Sequence, residues 1–210
     1  MRNFALILTM SALATPAVGQ GATRLSAEDV RNSPHWQGTD EGIRHVPSGA
    51  VCPFSFDDIG LSMTGITMYG NSERDVSCHY QNANSGFLTM FVTDYGSWPF
   101  EGVANQSDKD VVTAKGLTRL EPGSSQCDGL TEQVLQKEPR ATKDAVPAHC
   151  ALYSSDSVHS ALMLAPAREW IIKLRHTQNG TADGDKMTKL VISTMEAMRD
   201  LRRGIFRNTP

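Results

Sequence analysis

No apolar run in this sequence is long enough to cross a bilayer. The longest, Phe4 to Leu13, falls well short of the ~20 residues a spanning helix needs. An excess of positive charge is missing too: 20 Lys and Arg face 23 Asp and Glu, for a formal net charge of −3. Nucleic-acid surfaces need clustered cations to displace counterions, so no nucleic-acid partner is expected. Catalytic signatures are equally scarce. There is no GxSxG elbow, no HExxH, no SxxK and no phosphate-cradling glycine loop. Metal-finger spacing is absent as well, with neither CxxC nor HxxxH. These absences leave no catalytic residue, no metal site and no cofactor to assign.

What is present begins with an export signal. Arg2 precedes the Phe4 to Leu13 run, small residues follow around Pro16, and Ala17-Val18-Gly19 offers a cleavage site before Gln20. Residues 1–19 are therefore expected to be a signal peptide and 20–210 a single globular domain. The first cysteine is Cys52, too far from the junction for a lipid anchor. An exported chain meets an oxidising compartment, so Cys52, Cys78, Cys127 and Cys150 read as two disulfides. Three pairings are open, and the sequential one is favoured by an internal correspondence described below.

Alternation of apolar and polar residues carries the fold prediction. Cys150 to Tyr153, Val158 to Leu164 and Trp170 to Thr177 read as three strands, with Pro166 expected to break the chain between the second and third. In the third, Trp170, Ile172 and Leu174 point one way and Ile171, Lys173 and Arg175 the other. Leu61 to Tyr69 and Asp75 to Gln81 form a hairpin, followed by Phe87 to Thr93. Val76, Cys78 and Tyr80 share its inner face, leaving Ser77 and His79 on the other.

Helices are expected after Ser26, stopping near Asn32, and from Ser107 to Gly116. The strongest helix signal runs from Asp185 to Arg203, with acids at its start and Arg199, Arg202 and Arg203 at its end. Short strands are expected near Ile43 to Val46, Leu117 to Leu120 and Thr131 to Gln136. The fold class is α+β: an antiparallel sheet of about six to eight strands with the C-terminal helix on one face.

Aligned by cysteines, the chain shows two pseudo-repeated halves, 52–116 and 127–203. Cys52 and Cys127 are 75 residues apart (127 − 52), and Cys78 and Cys150 are 72 apart (150 − 78). Each half then carries its own disulfide, which favours Cys52 with Cys78 and Cys127 with Cys150.

The functional expectation is an exported, non-catalytic accessory or binding module, periplasmic or secreted, with an unidentified protein or small-molecule ligand. Its candidate binding residues are Trp98 and Phe100, a large apolar pair expected in an exposed loop, and the outward-facing His79, His149, Lys173 and Arg175. Two alternatives stand beside it. One is a hydrolase with a diffuse site, for which the acidic pair Asp57-Asp58 is a weak pointer. The other is a histidine metal site in which His159 or His176 approaches His79 and His149.

Overall fold

The computed structural model describes residues 21–70, 73–83, 86–120, 149–180, 189–190, 192–195 and 197–198. The signal-peptide expectation, the strand expected at Thr131 to Gln136 and the ends of the C-terminal helix lie outside them.

Twelve strands are described among these residues: β1 (Ala22–Leu25), β2 (Trp36–Gly38), β3 (Gly42–His45), β4 (Val51–Pro53), β5 (Ser55–Phe56), β6 (Leu61–Tyr69), β7 (Asp75–Gln81), β8 (Phe87–Thr93), β9 (Thr118–Arg119), β10 (His149–Ser154), β11 (Val158–Ala167) and β12 (Trp170–Asn179). Nine of them form one antiparallel sheet in the order β1-β6-β7-β8-β12-β11-β10-β9, with β5 also on β6. The remaining three, β2-β3-β4, form a second small sheet. Two helices, α1 (Ala27–Asn32) and α2 (Phe100–Lys115), and helical residues at 189–190, 192–195 and 197–198 complete an α+β architecture.

Local chemistry accounts for several boundaries. Ser26 caps α1 by accepting from the Asp29 amide at 3.1 Å, while the Asp29 carboxylate accepts from the Ser26 amide at 2.8 Å. Gly42 lets β3 approach β4: a Cβ there would lie 2.1 Å from the Cys52 carbonyl oxygen. Gly116 ends α2 in the left-handed conformation, φ 61°, returning its amide to the Val112 carbonyl.

The large sheet is buried on two faces. On the inner face Ile66, Val76, Cys78, Tyr80, Leu88, Met90, Ile172, Leu174 and Met163 meet Trp36, Ala50 and Cys52 of the small sheet and Leu190, Met195 and Met198 of the C-terminal helix. The Cys52–Cys78 disulfide, with its Cα atoms 6.1 Å apart, staples β4 to β7. Closing a loop of 26 residues contributes about 3 kcal/mol on the chain-entropy view. On the outer face α2 lays Val103, Ala104 and Val111 over Ala151, Tyr153, Leu162, Leu164 and Ile171.

Two expectations need correction. The second helix starts at Phe100, not Ser107, because Pro99 adopts the extended conformation of a helix entry and its φ of −65° already suits the first turn. Trp98 and Pro99 lie in the loop that leads into the helix, and Phe100 opens it. Pro166 does not break the chain: it lies inside β11, paired with Ile171 next to the Arg168-Glu169 turn, where a missing amide costs little. Of the two expected disulfides Cys52–Cys78 is present, and the other lies outside the described residues with Cys127.

Strand registers relate two three-stranded meanders, β6-β7-β8 and β10-β11-β12, that meet where β8 pairs β12. Met90 pairs with Leu174 at the join; stepping outward gives Cys78 and Met163, then Ile66 and Cys150. Corresponding residues differ by 84 (174 − 90), 85 (163 − 78) and 84 (150 − 66). Cys78 thus sits on the middle strand of its meander and Cys150 on the outer strand of the other. The alignment by cysteines does not superpose the strands.

Candidate functional site

On the outer face, alternation places Thr67 and Tyr69 of β6, Ser77 and His79 of β7, Thr89 and Phe91 of β8, and Lys173 and Arg175 of β12 side by side. The registers give two adjacent rows. One runs Arg24, Thr67, Ser77, Phe91, Lys173; the next runs Gly65, His79, Thr89, Arg175. Three residues expected from sequence, His79, Lys173 and Arg175, are therefore brought onto one patch.

A chain of side-chain hydrogen bonds organises its polar half. The Tyr69 hydroxyl meets Ser77 Oγ at 3.1 Å, Ser77 Oγ meets His79 Nε2 at 3.0 Å, and Thr67 Oγ1 meets the same nitrogen at 2.9 Å. Burial, reinforced by the charges of Arg24 and Arg175, holds the His79 pKa below its ordinary 6.5, so the ring is neutral at neutral pH. Gly65 makes room beside it: a Cβ would lie 2.8 Å from the Arg24 guanidinium, which donates to the Thr64 carbonyl.

Lys173 stands 4.4 Å from the Phe91 ring centroid, in cation–π contact. Burial lowers its pKa, opposed by the charges of Asp110 and Asp75. Burial likewise lowers that of Arg175. Asp75 accepts from Thr93 Oγ1 at 2.7 Å, and Asp110 accepts from Gln106 Nε2 at 2.8 Å. Among the described residues neither Lys173 nor Arg175 forms an ion pair.

The other expected residues do not join this patch. His149 shares the outer face but lies on β10, four strands from His79 and so about 19 Å away. Its Nε2 is 2.9 Å from Asp108 on α2. Asp108 also accepts from Arg119 at 2.6 Å and from the Tyr153 hydroxyl. Burial pulls the Asp108 pKa upward, yet the bonds from His149 and Tyr153 and the charge of Arg119 outweigh it and hold the carboxyl below its usual range. That cluster ties α2 to β9 and β10. Phe100 opens α2 and packs against its core cluster, whereas Trp98 is 62% exposed.

His159 and His176 point to the inner face, fully buried, so they cannot approach His79 or His149. His176 Nδ1 faces Thr194 Oγ1 at 3.3 Å, and burial followed by the nearby His159 lowers its pKa to about 4. No group of three or more His, Cys, Asp or Glu is placed to hold a metal among the described residues. Asp57 is exposed on a 3₁₀ turn.

A concavity of about 560 Å³ lies between α1, the small sheet and β6, lined by Leu25, Val30, Trp36, Ile43, Phe54 and Met63. It is apolar and lacks the convergent polar groups of the outer patch.

Sequence reading missed Tyr69, Thr67 and Thr89, whose hydroxyls look like ordinary strand positions until the register places them around His79. Asp108 was misread as part of a helix start, because the helix begins eight residues earlier (108 − 100). No protein-family model, no curated protein and no solved structure matches the chain.

Proposed function

We propose that the protein is an exported, non-catalytic binding module of the cell envelope or secretome, and that the patch around His79 is its binding face. The Cys52–Cys78 disulfide suits an oxidising compartment, and no helix among the described residues is long and apolar enough to cross a membrane. On this reading residues 1–19 are a cleaved signal peptide and Cys127 pairs with Cys150, a pairing that non-reducing peptide mapping would detect directly.

The observation that carries the reading is a contrast across the sheet. Where α2 packs, the middle strand presents Leu162 and Leu164; at the corresponding places on β7 it presents Ser77 and His79. Polar side chains there suit a surface that meets a ligand, not one that meets a helix. Ser77 and His79 resemble a nucleophile and base, but Ser77 is 0% exposed and the ring nitrogen facing it is shared with Thr67. A sealed hydroxyl cannot reach a substrate carbonyl. The outer patch is accordingly a recognition surface.

The test is twofold. Amide signals of Ser77, His79 and Thr89 should shift when mixtures of small polar ligands are titrated into the labelled protein, and chromogenic ester, phosphoester and glycoside substrates should not turn over. Turnover that disappears in Ser77→Ala or His79→Ala would establish the hydrolase alternative instead.

A further inference from the structure

The cations of this patch specify the ligand more closely, on the reading that the patch is a binding face. Arg175 is half-buried, and its buried Nε has no hydrogen-bond partner among the described residues. Leaving a guanidinium donor buried and unbonded is costly unless an acceptor arrives from outside. Two positions along the same strand, and on the same face, Lys173 is held over Phe91 with its ammonium unpaired by any carboxylate among the described residues. Successive same-face residues on a strand stand about 7 Å apart, a span that one small anionic group can bridge.

The titratable groups facing these two carry both signs. Arg24 adds a third positive charge at the edge of β1, close enough to oppose protonation of His79. Two carboxylates face them: Asp75 and Asp110 act on Lys173 and Asp110 also on Arg175, and both already accept bonds, from Thr93 and Gln106. Tyr69 lies near Arg175, its hydroxyl engaged with Ser77. The patch offers cations, hydroxyls and a neutral imidazole, with two carboxylates beside them that are engaged elsewhere, on a chain whose net charge is negative.

We propose that this face binds an oxyanion, with Arg175 and Lys173 as its primary contacts and Arg24 as an outer electrostatic contributor. The shared chemistry is that of a carboxylate and of a phosphoryl or sulfate group. Arginine matches both through paired N–H donors, and the Phe91 ring beside Lys173 favours an anion carried on an apolar or planar body.

Calorimetric titration of the full protein with inorganic phosphate, inorganic sulfate, acetate and benzoate, at low ionic strength and against sodium chloride as the control, tests this. The expected result is saturable binding of one equivalent of at least one oxyanion, weakening as salt is added. Saturation by phosphate or sulfate alone assigns a phosphoryl or sulfate ligand; saturation by benzoate or acetate alone assigns a carboxylate. Arg175→Gln should weaken binding by roughly tenfold or more, and Arg175→Lys by less, because the charge remains while the paired donors are lost. Should Arg175→Gln fail to fold, the exposed Arg24→Gln serves, with an expected loss of roughly twofold. Lys115→Gln, at the far end of α2, should bind as the parent does.

Absence of saturable binding by all four anions, or unchanged affinity in both Arg175→Gln and Arg24→Gln, overturns the oxyanion assignment. If neutral ligands still shift Ser77, His79 and Thr89 in that case, the binding face survives and only its ligand class falls. If nothing shifts those residues, both fall.

Discussion

The two meanders share one topology and differ in what lies over their outer faces. In β10-β11-β12 the outward positions hold Ala151, Tyr153, Leu162 and Leu164, and α2 buries them. The corresponding places in β6-β7-β8 hold Thr67, Tyr69, Ser77 and His79, which bond to one another instead. The pair Tyr69 and Tyr153 shows the divergence at a single position. Tyr153 donates its hydroxyl to Asp108 beneath a helix, while the Tyr69 hydroxyl shares a hydrogen bond with Ser77 Oγ on a half-buried surface. The helices divide in the same way: α2 takes the outer face, and the C-terminal helical residues take the inner face beside the small sheet. One meander thus has its outer face spent on the core, and the other keeps its outer face for polar chemistry.

Moving the polar pair into the covered meander should have the largest effect. Leu162→Ser combined with Leu164→His places two unbonded polar groups under α2 and should destabilise by about 4 kcal/mol or more in urea unfolding. A loss near 1 kcal/mol would show that α2 covers this face less tightly than its buried leucines indicate. Next in size is Asp108→Ala, which removes the acceptor of Arg119, His149 and Tyr153 together. A cost of about 2–4 kcal/mol is expected, most of it from stranded donors, and guanidinium melts would read it.

Acid should weaken the inner face shared by both meanders. His45 and His176 are fully buried, and burial, the largest cause for each, lowers both pKa values to about 4. The unfolded chain takes up these protons first, near pH 6.5. Stability from the neutral rings is therefore whole above about 6.5 and is lost as pH falls toward 4, by up to about 3 kcal/mol per ring. Denaturation at pH 7 and pH 4.5 should differ accordingly, and His176→Gln should flatten part of the difference.

The reverse exchange should have the smallest effect. Ser77→Val with His79→Leu makes the polar meander resemble the covered one and should change stability by no more than about 1 kcal/mol in either direction. It should nevertheless remove the ligand response of Thr89. A large loss of stability would mean that the hydroxyl and imidazole network supports the fold and not a ligand.

Much of the fold was readable because alternation is a local signal. The period of two over Val76 to Tyr80 and over Trp170 to Arg175 assigns inner and outer residues without knowledge of the partner strand. The capping box at Ser26 was equally local and places α1 as expected. The start of α2 was not, because Phe100-Glu101-Gly102 lacks the polar cap that marks most helix beginnings, and Ser107-Asp108 imitates one. The small sheet was half legible: β3 carries Ile43 in a recognisable strand, but β2 and β4 are too short to show a period.

The sequence by itself determined that Cys78 points inward while His79 points outward, and that Lys173 and Arg175 stand on the polar side of their strand. Side-chain period is a property of the strand alone. Only the tertiary structure decided that His79 and Arg175 belong to one patch, separated by Thr89, while His149 belongs to another under α2. Strand order and register arise from pairings between residues up to 90 positions apart (177 − 87), and no local pattern encodes them.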